Sequence, residues 1–247
     1  MFNPFISKLG RFARLSKEDK SVLGQLAHER VRQIDAHEDI IREGEKPEHI
    51  RLIVEGWACR YKMLEDGRRQ IVAFFLPGDL CDLNVFILRQ MDHSIGTITR
   101  TAVAEISRTN FETLTLSVPR ITQALWWENL VTSAIQREWA LNLGQRSAFE
   151  RMAHLFCELF VRLETVGLTS GNSCDMPLTQ LELGEATGMS AVHVNRTLQE
   201  LRAENLIELR SRRLVIPDME ALRRTALFNA NYLHLDHEGR HLDANEE

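Results

Sequence analysis

The chain reads as an α+β protein: an N-terminal jelly-roll of the double-stranded β-helix kind, one long helix, and a C-terminal winged helix-turn-helix. Three observations predict this. Between about Val31 and Ile106, short apolar segments alternate with glycine turns; after Pro119 the apolar period changes to intervals of three and four; and Leu178 to Ile207 carries two capped helices in close succession. With 247 residues, 44% hydrophobic and 26% charged, the chain can bury one large core or two smaller ones, and two domains fit best.

The strand-like segments are Asp39 to Ile41, Ile50 to Val54, Ala58 to Met63, Ile71 to Leu76 and Ile95 to Ile106, punctuated by Gly44, Gly56, Gly67 and Pro77-Gly78. Turns about every 8 to 12 residues are the spacing of sandwiches and rolls. Glu65-Asp66-Gly67 predicts a hairpin turn, glycine supplying the positive φ it needs.

A helix follows from about Arg120 to Gly144, in which Ala124, Trp127, Val131, Ala134, Glu138 and Leu141 form a seam. Periodicity alone fits equally a seam against a second copy and a helix packed on its own sheet, and Glu138 interrupts the stripe. Trp127, Val131, Ala134 and Leu141 are the dimerisation candidates. Ser147 with Glu150 forms an S-x-x-E capping box that starts a second helix through about Val166, which makes Gly144 to Ser147 a hinge. Gly167 to Pro177 reads as a loop. The divisions are therefore 15–119 for the roll, 120–144 for the long helix, 147–217 for the winged helix-turn-helix and 218–247 for a C-terminal extension, polar enough to fray beyond Leu235.

Within Leu178 to Ile207, Thr179 and Glu182 form a T-x-x-E capping box at the start of the first helix. Gly184 permits close helix contact, Gly188 supplies the turn, and Ser190 caps a second helix whose buried stripe is Val194, Leu198 and Leu201. That stripe turns the other faces outward, toward base edges in a major groove. Past Leu206, Ile207 and Leu209, then Ser211-Arg212-Arg213, then Leu214 and Ile216 alternate like two short strands around a basic turn closed by Pro217-Asp218. The candidate DNA contacts are Thr179, Ser190, Ala191, Val192, His193, Asn195, Arg196 and Gln199 in the helix pair, and Arg210, Arg212 and Arg213 in the wing.

The formal net charge of -5 does not itself suggest nucleic acid. Arg196, Arg202, Arg210, Arg212 and Arg213 are nevertheless gathered in one segment, while Glu200, Glu204 and Glu208 can be turned away or paired, so a dipolar protein is expected. Apolar runs such as Ile71 to Leu76 fall far short of the roughly 18 residues of a membrane span, and no signal-peptide core opens the chain, so a cytoplasmic protein is expected. Cys59, Cys81, Cys157 and Cys174 are isolated from one another and read as buried thiols, with no zinc clip. His234, His237 and His241 could share a helix side, but lack a nearby cysteine and read as polar tail.

Taken together, the chain from about Leu15 to Pro217 resembles the Crp/Fnr family of bacterial transcription regulators. The marks are Gly44-Glu45 with Ile50 to Gly56, Phe75-Leu76-Pro77-Gly78-Asp79, Val103-Ala104-Glu105-Ile106, and Ser190 through Arg196. The resemblance implies a sensor-like roll related to cyclic-nucleotide-binding domains and a homodimer joined by its long helices. It also implies two recognition helices in successive major grooves of a near-palindromic promoter site. Family habit favours activation, with RNA polymerase as a partner. The residues matching the family's effector pocket are Cys81, Asp82, Leu83, Asn84, His93, Ser94, Gln136 and Arg137.

Several of these depart from the cyclic-nucleotide-binding pattern. Cys81-Asp82-Leu83-Asn84 stands where relatives carry the Gly-Glu that holds the ribose, His93-Ser94 where they carry an Arg-Ser for the phosphate, and Gln136-Arg137 where they carry Thr-Ser for the base. A carboxylate repels a phosphate and a neutral imidazole does not replace a guanidinium fork, so cyclic AMP is not the expected effector. No cysteine precedes Cys59, which rules out the N-terminal iron-sulfur cluster of oxygen-sensing members on ligand count. His28, His37, His49 and His93 are weak haem-ligand candidates that read first as ordinary surface or core histidines, so no cofactor is identified. A cupin-type metalloenzyme would need two closely spaced histidines with a glutamate on one strand; Glu48-His49 and His93 are isolated, and neither a P-loop nor a nucleophile elbow occurs, so no enzyme is expected. An adaptor that has lost DNA binding conflicts with Arg196 and the basic wing.

Overall fold

The computed structural model describes residues 3–83 and 85–235, so Asn84, His237 and His241 lie outside the described residues. The chain opens with two helices ahead of the strands. α1 (Pro4–Phe12) starts at Asn3, whose side chain accepts the Phe5 and Ile6 N–H groups, and it buries Phe5, Leu9 and Phe12. α2 (Lys17–Leu26) starts at a reciprocal capping box between Ser16 and Asp19.

Seven strands follow: β1 (Val31–Ile34), β2 (Asp39–Ile41), β3 (His49–Glu55), β4 (Ala58–Met63), β5 (Arg69–Phe75), β6 (Ser94–Thr97) and β7 (Thr101–Ser107). They form a three-stranded sheet ordered β1-β7-β3 and a four-stranded sheet ordered β2-β6-β4-β5. β7 pairs antiparallel with β1 and β3, placing Ile34 opposite Thr101 and His49 opposite Ser107, and β6 pairs antiparallel with β4, placing Ala58 opposite Thr97. Ile50, Leu52, Ile53, Ile95, Val103 and Ile106 are buried among these strands. The Glu65-Asp66-Gly67 turn joins β4 to β5, with Leu64 donating its N–H to Arg68 O at 2.9 Å and Gly67 at φ 86°.

The roll passes through α3 (Arg108–Ser117) into α4 (Pro119–Gln145), the long helix expected from Arg120 to Gly144. The chain divides into two compact units inside that helix: residues 3–61, 74–134 and 233–235 in the first, and residues 62–73 and 135–232 in the second.

In the second unit, α5 (Ala148–Thr165) starts at the Ser147–Glu150 capping box and is the core helix, with Met152, Ala153, Phe156, Leu159 and Leu163 buried. The stretch read as a loop from Gly167 to Pro177 instead contains a small hairpin, β8 (Thr169–Ser170) and β9 (Ser173–Asp175). Two- and three-residue strands are too short for alternation to register, which is why the sequence hid them. Then come α6 (Gln180–Thr187), α7 (Ala191–Ala203), β10 (Glu208–Arg210), β11 (Arg213–Val215) and α8 (Met219–Ala226). β8 and β9 extend the wing to a four-stranded sheet ordered β10-β11-β9-β8.

The segment after Pro217, expected as a polar extension, begins with α8, capped by Asp218 Oδ1 accepting the Ala221 N–H at 3.0 Å and burying Leu222 and Ala226. Beyond it, Tyr232 donates its hydroxyl to the buried Glu158 carboxylate at 3.0 Å, which also accepts from Trp139 Nε1 and Arg162 Nη1. The division falls between Ala134 and Ile135 rather than at the hinge expected from Gly144 to Ser147, where Arg146, between α4 and α5, donates to Ala226 O and Leu227 O at 3.2 Å and to Glu138 Oε1 at 2.7 Å. All four cysteines are buried. Among the described residues no helix is long and apolar enough to cross a membrane.

Candidate DNA interface and effector region

The helix pair α6–α7 is built by local signals. Thr179 Oγ1 accepts the Glu182 N–H at 3.2 Å while Glu182 Oε2 accepts the Thr179 N–H at 2.7 Å, closing the capping box at the start of α6. The helix ends at Gly188, φ 67°, a left-handed position glycine takes without steric cost. A Cβ placed on Gly184 would lie 2.6 Å from Met189 O, so only glycine allows the turn backbone to close onto α6. Ser190 Oγ then accepts the His193 N–H at 3.3 Å and starts α7, which buries Val194, Thr197, Leu198 and Leu201.

That burial turns one face of α7 to solvent. Val192 is 83% exposed, Ala191 and Arg196 are exposed, and His193 and Asn195 are half-buried. Arg196 Nε stands 3.8 Å from Glu200 Oε1, a loose surface pair, and Gln199 Nε2 donates to Asn195 Oδ1 at 3.0 Å. In the wing, Ser211 and Arg212 both have positive φ, 50° and 61°, the conformation of a tight two-residue hairpin, and Arg210 and Arg212 are exposed. Arg213 differs from the other wing candidates. It donates through Nη2 to Ser173 Oγ at 2.6 Å and lies 3.8 Å from Asp175, its opposite residue on β9, so it braces the sheet.

The seam candidates on α4 differ in their exposure. Val131 and Ala134 are 5% and 4% exposed and pack within their own chain; Trp127 is half-buried against Phe12, with ring centroids 6.2 Å apart. Of the four dimerisation candidates only Leu141 is exposed. The open apolar face lies one residue earlier along the helix, at Trp126 (70% exposed) and Leu130 (60% exposed). Beside it, Leu83, Phe111, Leu116 and Leu125 help line a groove of about 540 Å³. Trp126-Trp127 and Leu130-Val131 are adjacent apolar pairs, so two neighbouring stripes share one period, and the period does not say which one turns inward.

Of the effector candidates, Cys81, Asp82 and His93 converge on Arg60, which is not among the residues matching the family's pocket. Arg60 Nη2 donates to Asp82 Oδ1 at 2.6 Å and to Cys81 O at 2.5 Å, its Nε donates to His93 Nε2 at 3.2 Å, and its guanidinium stacks 5.1 Å over the Phe75 ring. His93 Nδ1 lies 2.7 Å from Asp92 Oδ1. Burial pushes the Cys81 thiol pKa up. The remaining candidates are elsewhere: Ser94 Oγ accepts the Glu43 N–H at 2.9 Å, Leu83 lines the groove beside α4, and Gln136, in the second unit, donates to Val72 O at 2.8 Å, with Arg137 exposed. An arginine inside the apolar strand Ala58–Met63 was the available signal for Arg60.

Comparison with known proteins adds to this geometry. Residues 31–117 match the cyclic nucleotide-binding domain family and residues 150–225 match the Crp-like helix-turn-helix domain family. The chain is 29% identical over 211 residues to the transcriptional activator protein FnrL of Cereibacter sphaeroides, covering 83% of this chain and 82% of that one. It is 27% identical over 187 residues to the nitrogen fixation regulation protein FixK of Azorhizobium caulinodans, covering 75% of each. The structure of FixK2 from Bradyrhizobium japonicum superposes with a TM-score of 0.72 at 25% identity, over 81% of this chain and 98% of that one.

Proposed function

Because the chain belongs to the Crp/Fnr family of DNA-binding transcriptional regulators, we propose that it acts as a homodimeric activator on a near-palindromic promoter site, independently of cyclic AMP. The observation that carries this reading is the capped α6–α7 pair, with its buried stripe behind and Val192 and Arg196 in front.

On this reading α7 enters the major groove. Arg196 donates two hydrogen bonds to O6 and N7 of a guanine, worth about 1 to 3 kcal/mol of base discrimination, and Val192 packs on a thymine methyl. Arg210 and Arg212 at the wing tip meet phosphates, which adds salt-dependent affinity without base preference. Bound near a promoter, the dimer recruits RNA polymerase.

The exposed Trp126 and Leu130, with the groove beside them, support pairing of two chains along α4, since apolar surface of this kind on a helix is normally covered. Two half-sites are then centred about 10 to 10.5 base pairs apart.

Independence from cyclic AMP is supported by the charges around Arg60. A cyclic nucleotide would need that guanidinium for its phosphate, but its Nη2 edge is already engaged by Asp82 and the Cys81 carbonyl. Asp82 would face the incoming anion as a like charge. These residues do not fit a cyclic phosphate.

Selection from a randomised operator library by the wild type and by Arg196→Ala tests the DNA reading. The wild type is expected to recover paired half-sites with one required G·C pair, and Arg196→Ala to lose that preference while keeping salt-dependent non-specific binding. Recovery of the same guanine by both proteins would reassign the readout to His193 or Gln199. Calorimetry tests the ligand reading: micromolar binding of cyclic AMP coupled to tighter operator binding would refute it.

A further inference from the structure

We propose that Arg151 is a positioning residue that locks the end of α4 to the turn between α6 and α7, and thereby sets the half-site spacing the protein accepts. The last carbonyls of any helix have no partner within it. Arg151, in the first turn of α5, reaches such carbonyls at two helix ends at once. Its Nε donates to Asn142 O at 3.1 Å and its Nη2 to Arg146 O at 3.0 Å, in the last turn of α4 and just past it, while its Nη1 donates to Thr187 O at 2.6 Å, the last residue of α6. Asn142 Nδ2 returns a bond to Arg151 O at 3.4 Å.

A planar guanidinium is the one side chain able to hold three carbonyls in fixed directions, and its charge sits favourably at the negative ends of both helix dipoles. With Nε, Nη1 and Nη2 each engaged by backbone, Arg151 is bound inward and is not a phosphate contact. Thr187 is followed by Gly188 and the cap at Ser190, so the clamp ends three residues before the cap of the recognition helix. Within the second unit this guanidinium helps hold the helix pair that carries the recognition helix against the end of α4.

The inference rests on the homodimer reading, and its test separates the two. Using the operator recovered by selection, binding of the full-length wild type, Arg151→Lys and Arg151→Met is measured on duplexes with the selected spacing, with one central base pair removed or added, and on a single half-site. The wild type is expected to favour the selected spacing by about tenfold or more, as two linked contacts require. Arg151→Met is expected to bind the single half-site within about twofold of the wild type, yet to distinguish the spacings by less than about threefold, because each half-site contact survives while their linkage loosens. Arg151→Lys, which keeps the charge but cannot span three carbonyls, is expected to fall between, and it carries the test if the methionine variant does not fold. Unchanged spacing preference in the variants, or parallel loss on the half-site and the full site, would overturn the inference. A wild type indifferent to spacing would overturn the dimer reading and this inference with it, whereas loss of preference in neither variant leaves the dimer standing alone.

Discussion

Lowering the pH from 7.5 to 5 is expected to strip much of the stability of the second unit through one residue, His154. Its imidazole is 1% exposed, stacked on Tyr232 at 6.0 Å and edge-on to Phe228 at 5.1 Å. Nε2 comes within 3.2 Å of Glu138 Oε1 but is not aligned for a hydrogen bond, and that carboxylate is already held by Arg146 Nη2 at 2.7 Å. Burial first, and then the Arg146 charge, hold the His154 pKa down from 6.5 to about 3. The imidazole is therefore neutral in the folded protein, while the unfolded chain takes up a proton below pH 6.5. Stability is intact above that pH and is lost progressively as pH falls toward 3. With those two values the loss from this residue is about 2 kcal/mol at pH 5 and about 3 kcal/mol at pH 4. Against a total of about 5 to 15 kcal/mol for an ordinary domain, this is a large share. Urea unfolding of the wild type and of His154→Phe, which keeps a ring in the stack but cannot titrate, measures it between pH 7.5 and 4.5. The variant should lack about one proton of pH dependence. Parallel pH profiles, or a His154 pKa above 5 by NMR, would refute the argument.

Gly184→Ala is expected to destabilise by about 1 to 3 kcal/mol, the usual range for overpacking, because the new carbon meets the Met189 backbone oxygen. Operator affinity should fall with it, and a variant that melts and binds like the wild type would show that the α6–α7 turn has slack. Leu130→Glu is expected to weaken dimers by about tenfold or more by setting like charges on the shared face, with little change in the melting of the monomer. Ala134→Glu should do the reverse, lowering the melting temperature because its site is inside the chain; sedimentation and thermal melts together decide which α4 face pairs.

The parts of this structure legible in the sequence are those written by short-range chemistry. The Thr179–Glu182 and Ser147–Glu150 boxes, the Ser190 cap and the Gly67 turn each satisfy backbone groups within three or four residues, so their signals survive in the linear chain. Asn3-Pro4 and Asp218 before α8 are signals of the same kind and could have been read. The choice of face on α4 could not, since Val131 and Leu130 are adjacent apolar residues and only packing against the rest of the chain decides which is covered. Arg60 had a signal in its place within a strand, whereas Arg151 was illegible for a related reason. Its carbonyl partners lie 5, 9 and 36 residues away, and nothing in an arginine's immediate neighbours tells a surface charge from a clamp.

The distribution of the cysteines has a use in following how this protein comes apart. Cys59 and Cys81 lie in the first unit, Cys157 and Cys174 in the second, and all four are buried. Burial pushes the thiols of Cys157 and Cys174 up to about 12. A thiol that is both covered and protonated is nearly inert to alkylating reagents, so the folded protein resists labelling until a segment opens. Pulsed alkylation followed by peptide mass analysis would timestamp the opening of each half separately, with no probe engineered into the chain.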